Sequence, residues 1–206
     1  YFRGIMEKKI LVLFAHPRFE DSVVNTTLVR AVEKLPFVTF RDLYELYPDF
    51  DIDIKKEQEL LKEHDIIVWH HPIYWYSCPP LMKQWIDLVL EYGWAYGKNG
   101  DQLKGKWVFN AVSAGGSKDV YAHEGRNRYS IPEFLRPFEQ TARLCQMIYL
   151  PPFVVHHANI ATREVCSSFG ENYAKVLTAL SAAGEDVSEF MQREYLNIHQ
   201  YGEATL

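Results

Sequence analysis

The chain is short of the features that would take it away from an ordinary folded core. Of its 206 residues only three are cysteine: Cys78, Cys145 and Cys166. An odd number without C-x-x-C spacing argues against a disulfide framework and a zinc site, and fits a reducing compartment. No apolar run approaches the ~20 residues that a membrane-spanning helix needs. The formal net charge of -5 offers no field to attract nucleic acid or an anionic lipid surface, so neither is expected as a partner. There is no G-x-G-x-x-G and no G-x-x-x-x-G-K-[ST], which takes support from a dinucleotide-binding Rossmann domain and from a P-loop nucleotidase. No basic segment leading into an apolar one opens the chain, and no linker, repeat or low-complexity stretch divides it. Tyr1 to Ile5 read as the remnant of a cleavage tag ahead of Met6. Residues 6–206 are expected to form one domain of a soluble, cytoplasmic protein.

What the chain does have is apolar material, 48% of residues, and aromatic side chains, 15%. Five apolar runs read as strands: Lys8 to Ala15, Phe37 to Asp42, Asp65 to His71, Lys106 to Val112, and Met147 to His156 with an interruption at Pro151-Pro152. Continuous runs of this kind suit strands buried on both faces of a parallel sheet. Helices are expected between them. The first spans Asn25 to Leu35, ended by Pro36, and the second Asp53 to Asp65, with an apolar stripe at Ile54, Leu60 and Leu61. The third, Leu81 to Tyr92, turns Leu81, Trp85, Leu88 and Val89 to one face. Glu133 to Met147 reads as helical despite Pro137, and Ser168 to about Gly184 as a closing helix before a polar tail. The alternation predicts an α/β fold, a flavodoxin-like doubly wound sheet of about five parallel strands flanked by helices.

In such a sheet, ligands bind beyond the carboxyl ends of the strands. Three of those ends carry polar or aromatic loops. After the first strand, Ser22 opens a helix, whose free N–H groups and positive end make an anion site. His16, Ser22, Val23, Val24 and Asn25 are its candidates, against the plainer reading of Ser22 as a helix cap and His16 as a surface histidine. After the third strand, Pro72, Ile73, Tyr74, Trp75 and Tyr76 offer rings and amides for a flat apolar ligand, or an aromatic plug between sheet and helix. After the fourth, Ser113, Ala114, Gly115 and Gly116 let the backbone approach a ligand closely, or simply turn. A phosphate, a flat ring and the polar edge of that ring describe a flavin. The glycine-poor first loop suits a single terminal phosphate better than a buried pyrophosphate. Tyr121 and His123 follow closely enough to donate to the same edge, and Arg126 and Arg128 are candidates for a 2′-phosphate.

Several segments in order carry a resemblance: Ala15-His-Pro17, Ser22-x-x-Asn25, Leu43 to Phe50, His71 to Pro80, Leu81 to Asp87, Gly93 to Gly97 and Ser113 to Gly116. The chain resembles the flavodoxin-like NAD(P)H:quinone oxidoreductases, and most of all the bacterial ancillary quinone reductases of glutathione-regulated potassium-efflux systems. The resemblance runs from about Lys8 to His156. It implies FMN rather than FAD, NAD(P)H as co-substrate, a quinone or similar small aromatic acceptor, and a homodimer with the site near the interface. By position it places the ribityl phosphate on His16 and Ser22 to Asn25, the ring system on Ile73 to Tyr76, and the pyrimidine edge on Ser113 to Gly116. Two departures stand out. Ser-Ala-Gly-Gly replaces the family's Thr-Thr-Gly-Gly, removing a hydroxyl at position 114. A catalytic histidine of the larger relatives falls at Asn127, leaving Tyr121 as the catalytic candidate and His123 as a nearby histidine.

The expected reaction is hydride transfer from NAD(P)H through the flavin to a quinone, in two ping-pong halves. Competing with it is a regulatory output, in which the chain is an ancillary subunit held peripherally at a membrane potassium-efflux transporter. An electron-carrier flavodoxin fits less well, because Lys118 to Pro137 is long enough to form a lid.

Overall fold

The computed structural model describes residues 7–198, so the expected tag remnant and the end of the polar tail lie outside the described residues. The elements run β1 (Ile10–Phe14), α1 (Val23–Val32), β2 (Val38–Asp42), α2 (Leu43–Leu46), α3 (Ile54–Glu63), β3 (Ile66–Pro72) and α4 (Pro80–Val89). They continue with β4 (Trp107–Ser113), α5 (Ile131–Phe134), α6 (Arg136–Leu144), β5 (Ile148–Tyr149), β6 (Phe153–Val155), α7 (Arg163–Ala182) and α8 (Ser188–Met191). The sheet order is β2-β1-β3-β4-β5, with β6 also on β4, and every pairing is parallel. This is the flavodoxin-like α/β fold, five strand positions with the last one divided.

The pleat sorts each strand onto two cores, because successive side chains point to opposite faces. Leu11, Leu13, Ile67, Trp69, Val108 and Val112 face α3 to α6, packing on Leu61, Leu81, Trp85 and Phe138. Ile10, Val12, Ile66, Val68 and Phe109 face α1 and α7, packing on Val24, Leu28, Tyr173 and Leu177. On that second face α1 and α7 approach closely at Gly170, where an added Cβ would lie 3.3 Å from both Thr27 Cγ2 and its carbonyl oxygen.

Several boundaries differ from the sequence reading, each for a physical reason. The helix expected over Glu133 to Met147 divides at Leu135 into α5 and α6, and Pro137 falls in the first turn of α6, where its missing N–H is harmless. The fifth strand is two short pieces: β5 pairs with Trp107-Val108 and β6 with Ala111 to Ser113, the prolines 151 and 152 standing between. The closing helix begins at Arg163, five residues ahead of the expected start, because Thr162 caps it by accepting from Val165 N. In α4, Leu81, Trp85 and Val89 are buried but Leu88 faces outward. Trp85 itself is fully enclosed within the protomer.

The inward face of α3 carries Glu57 and Gln58 besides Leu61 and the partly buried Leu60 of the expected apolar stripe, while Ile54 is half-exposed. Glu57 is 0% exposed. Its carboxylate pairs with Arg41 and accepts from Tyr47 Oη (2.6 Å) and Trp85 Nε1 (3.0 Å). A buried charge survives only when paired and hydrogen-bonded in this way.

After α7 the chain returns along the outer edge of β6. Leu196 N donates to Pro152 O (2.9 Å), and the side chain of Asn197 takes both main-chain groups of Val154 at 3.0 Å. Just before it, Glu194 pairs with Lys118 at 3.0 Å, and the Lys118 ammonium lies 5.3 Å from the Tyr195 ring centroid. All three cysteines are free thiols.

Candidate active site

The carboxyl ends of β1, β3, β4 and β6 open onto one cavity of about 930 Å³. Its walls include His16, Ser22, Val23 and Asn25 from the first loop, Pro72 to Tyr76 from the second, and Ser113, Gly115, Gly116 and Tyr121 from the third. Two expected residues are not on the wall. Val24 is buried in the core under α1, so only its main chain belongs to the helix opening. Ala114 is likewise buried, with its N–H on Val155 O (2.8 Å) and its carbonyl accepting from Ala158 N (3.0 Å). Position 114 therefore faces the core.

At the α1 end, Ser22 is the helix cap, its Oγ accepting from Asn25 N (3.3 Å) and Asn25 Nδ2 (2.8 Å). Asn25 is 1% exposed, and its Nδ2 also donates to Ser113 Oγ at 3.0 Å, tying the first loop to the third. Both amide hydrogens are thus engaged inside the protein, so Asn25 holds the hydroxyls that face the cavity. His16 is 6% exposed and not a surface histidine. Its Nδ1 accepts from Arg18 N (3.1 Å), which puts the ring proton on Nε2, and Nε2 has no partner among the described residues. Burial lowers the His16 pKa against the pull of Asp21 and Glu20, so the ring is a neutral donor. With the N–H groups of Val23 and Val24, which have no partner among the described residues, this end offers donors converging at a positive helix terminus.

The second loop is a two-residue hairpin. Tyr74 and Ser77 exchange main-chain hydrogen bonds (3.2 and 3.0 Å), and Trp75 and Tyr76 between them both sit at positive φ, 47° and 63°. That geometry normally takes Asn-Gly; bulky side chains there store strain. The strained tip holds Trp75 93% exposed at the cavity and stacks Tyr76 on Phe134 at 5.0 Å, while both N–H groups stay unpaired among the described residues.

Beneath the loop entrance runs a satisfied buried chain. His71 Nδ1 donates to Pro72 O (3.0 Å), Nε2 accepts from Asn110 Nδ2 (3.0 Å), and Tyr149 Oη donates to Asn110 Oδ1 (2.6 Å). Burial holds the His71 pKa down to about 4, so the ring is neutral and fixes the Pro72 carbonyl.

In the third loop the N–H groups of Gly115 and Gly116 have no partner among the described residues. A Cβ on Gly115 would fall 2.5 Å from Asn159 Nδ2, and one on Gly116 would fall 3.1 Å from Tyr121 Cε2. Both glycines therefore permit a close approach. Tyr121 closes a 3₁₀ turn, packs edge-on to Phe134 (6.2 Å), and has its pKa raised chiefly by burial and next by Tyr76, so it is a protonated donor. Arg126 and Asn127 line the cavity; Arg128 and His123 do not. The His123 ring is turned to Arg128 O (3.3 Å) and Glu133 (3.8 Å), which removes it as the stand-in histidine.

Sequence reasoning missed Arg18, Asp21, Ala158, Asn159 and Ala161 on this wall. The last three follow β6, whose carboxyl end could have been searched like the others; the other two lie inside the first loop and carry no motif.

The donor set suits a flavin mononucleotide. One end offers buried donors to a dianion, one wall offers rings for a flat tricycle, and free amides at positions 75, 76, 115 and 116 can meet a ring's polar edge.

A family described as having a flavodoxin-like fold matches residues 8–177. The glutathione-regulated potassium-efflux system ancillary protein KefG of Enterobacter sp. (strain 638) is 43% identical over 171 residues, covering 83% of this chain and 93% of KefG. The crystal structure of general stress protein 14 from Treponema denticola, in complex with FMN, superposes with a TM-score of 0.80 at 43% identity, covering 84% and 99% of the two chains. An NADPH-quinone reductase from P. pentosaceus superposes with a TM-score of 0.75 at 30% identity, covering 82% and 98%.

Proposed function

The chain belongs to the family with the flavodoxin-like fold, and from that premise we propose that it is an FMN-dependent NAD(P)H:quinone oxidoreductase. One observation carries the reading: a single cavity at the strand ends combines a neutral, buried His16 donor at a helix N-terminus with an aromatic wall and four amides unpaired among the described residues. The FMN complex of the Treponema denticola relative and the name of the P. pentosaceus reductase support the cofactor and the reaction class.

The residues divide the work. His16, the Ser22 hydroxyl and the amides of Val23 and Val24 hold the phosphate, each charge-assisted hydrogen bond contributing about 1.5–3 kcal/mol. Ile73 to Tyr76 bed the rings. The amides of Gly115 and Gly116 stabilise negative charge at the pyrimidine edge, and their fixed direction costs no reorganisation. FMN, when bound there, would supply the redox chemistry needed for hydride transfer from NAD(P)H to a quinone. Tyr121 donates its hydroxyl proton as a hydrogen bond toward the oxygen where charge builds, and Arg126 offers a cation to the co-substrate. Trp75, left in solvent, and the open face it adjoins favour a homodimer in which a second subunit completes the site.

The absorbance spectrum of the purified protein, with its released cofactor identified and NADPH-dependent quinone reduction measured, tests this. A colourless protein that neither binds FMN nor reduces quinones refutes it. A second reading rests on the KefG relatives: an ancillary subunit of a potassium-efflux system. Among the described residues no helix is long and apolar enough to cross a membrane, so such a role would be peripheral, through a partner.

A further inference from the structure

Below the opening of α1 lies a histidine that no step above employs. His70, in β3, is 0% exposed and packs edge-on against Phe14 (4.9 Å) and Tyr173 (5.4 Å). Its Nε2 stands 3.3 Å from Asn25 Oδ1, and its Nδ1 has no partner among the described residues. Asn25 Nδ2 in turn reaches Ser22 Oγ at 2.8 Å and Ser113 Oγ at 3.0 Å.

Two hydrogen patterns are self-consistent for this chain of groups. In one, the His70 proton is on Nε2 and goes to Asn25 Oδ1, and the two Asn25 amide hydrogens go to the two hydroxyl oxygens. In the other, the amide is turned over and donates to Nε2, which moves the His70 proton to Nδ1. The second pattern buries an N–H that has no acceptor; the first leaves only a lone pair unused. Orphaned buried N–H groups are the rarer of the two, so the first pattern prevails.

The difference is felt at the cavity. In the first pattern Ser22 Oγ accepts from both the main-chain and side-chain nitrogens of Asn25, so its own hydrogen must point elsewhere. Ser113 Oγ also accepts, and its hydrogen is free. Both side chains line the cavity. In the turned-over pattern both hydroxyls would spend their hydrogens on Asn25 and show lone pairs to an anion.

We infer that His70 is a positioning residue that, acting through Asn25, fixes the hydroxyls of Ser22 and Ser113 as hydrogen-bond donors to the cavity. Burial lowers the His70 pKa to about 3, so the ring stays neutral and the relay does not switch over the working pH range. The consequence for a phosphate rests on the FMN reading; the hydrogen pattern does not.

Two measurements decide it. Nitrogen-15 NMR of histidine-labelled protein freed of flavin is expected to show the His70 proton on Nε2; a proton on Nδ1 overturns the inference. Affinities for FMN and for riboflavin, which lacks the phosphate, are then compared in His70→Leu and His70→Gln. His70→Leu is expected to weaken FMN about tenfold while moving riboflavin less than about twofold, and His70→Gln, which keeps an N–H donor, to restore FMN. Equal losses for both flavins would reduce His70 to packing and overturn the relay. A wild-type protein that binds neither flavin would refute the cofactor reading instead, and the NMR result would still decide the hydrogen pattern.

Discussion

Replacing Trp75 by asparagine should make the protein more stable and a poorer flavin binder at once. Trp75 has φ 47° at the tip of the two-residue hairpin. A bulky residue in the left-handed region costs about 1–2 kcal/mol, and asparagine tolerates that region well, so the exchange should recover about 1 kcal/mol. Little is lost in return, because Trp75 is 93% exposed and buries almost nothing in the protomer. For a chain of this size about 1 kcal/mol is a rise in Tm of roughly 2–4 °C. If the ring walls the flavin, its loss should weaken FMN about tenfold. The assay is thermal and urea unfolding of flavin-free protein beside FMN titration. Trp75→Ala serves as the control, since alanine removes the ring but keeps the strain. It should match the asparagine variant in binding and fall short of it in stability. A Trp75→Asn protein no more stable than wild type would refute the strain argument, and one with unchanged FMN affinity would take the hairpin out of the binding wall.

Three other outcomes follow from the same site. Tyr121→Phe is expected to lower kcat about tenfold, for ~1.4 kcal/mol of transition-state stabilisation, with little effect on FMN affinity and with parallel double-reciprocal lines retained; wild-type kcat would reduce Tyr121 to a wall. Ser22→Ala removes both a cap and a phosphate donor, so calorimetry should find about 1 kcal/mol less stability together with 1.5–3 kcal/mol less FMN affinity, and a loss of stability alone would leave Ser22 as a cap. Burial depresses His70, His71 and His156 to about 3, 4 and 4. The unfolded chain therefore binds more protons below pH ~6.5, and stability should be full above that value. It should fall as pH drops toward 4, by about 1.4 kcal/mol per pH unit for each histidine. Equal urea midpoints at pH 7.5 and pH 5 would rule this out.

The strands were readable because a doubly covered parallel sheet leaves its signature in uninterrupted apolar runs such as Ile10 to Phe14 and Ile66 to Val68. Chain order then placed three loops at one end of the sheet, and the cavity lies there. Other features depended on contacts that no local pattern encodes. Glu57 looks like an ordinary surface residue of a charged helix until Arg41, Tyr47 and Trp85 close on it from three other segments. Asn159 becomes part of the wall only because Gly115 has no side chain to hold it off. Asn25 read as a ligand donor, yet the partners that consume its amide are one turn away and 88 residues away. His123 was near Tyr121 in sequence, but Glu133 and Arg128 turn it outward.

The grip of Asn197 on Val154 bears on how the sheet ends. A strand with one unpaired side is a template on which a foreign strand can add, and proteins that leave it open risk endless association. Here a single side-chain amide mimics the main chain of a neighbour, giving and taking one hydrogen bond each at 3.0 Å. Leu196 adds one more bond at Pro152, beside the two prolines that already spoil regular pairing. The tail thus works as a terminator of sheet growth, and shortening the chain to before Tyr195 would cost solubility before it cost the shape of the cavity.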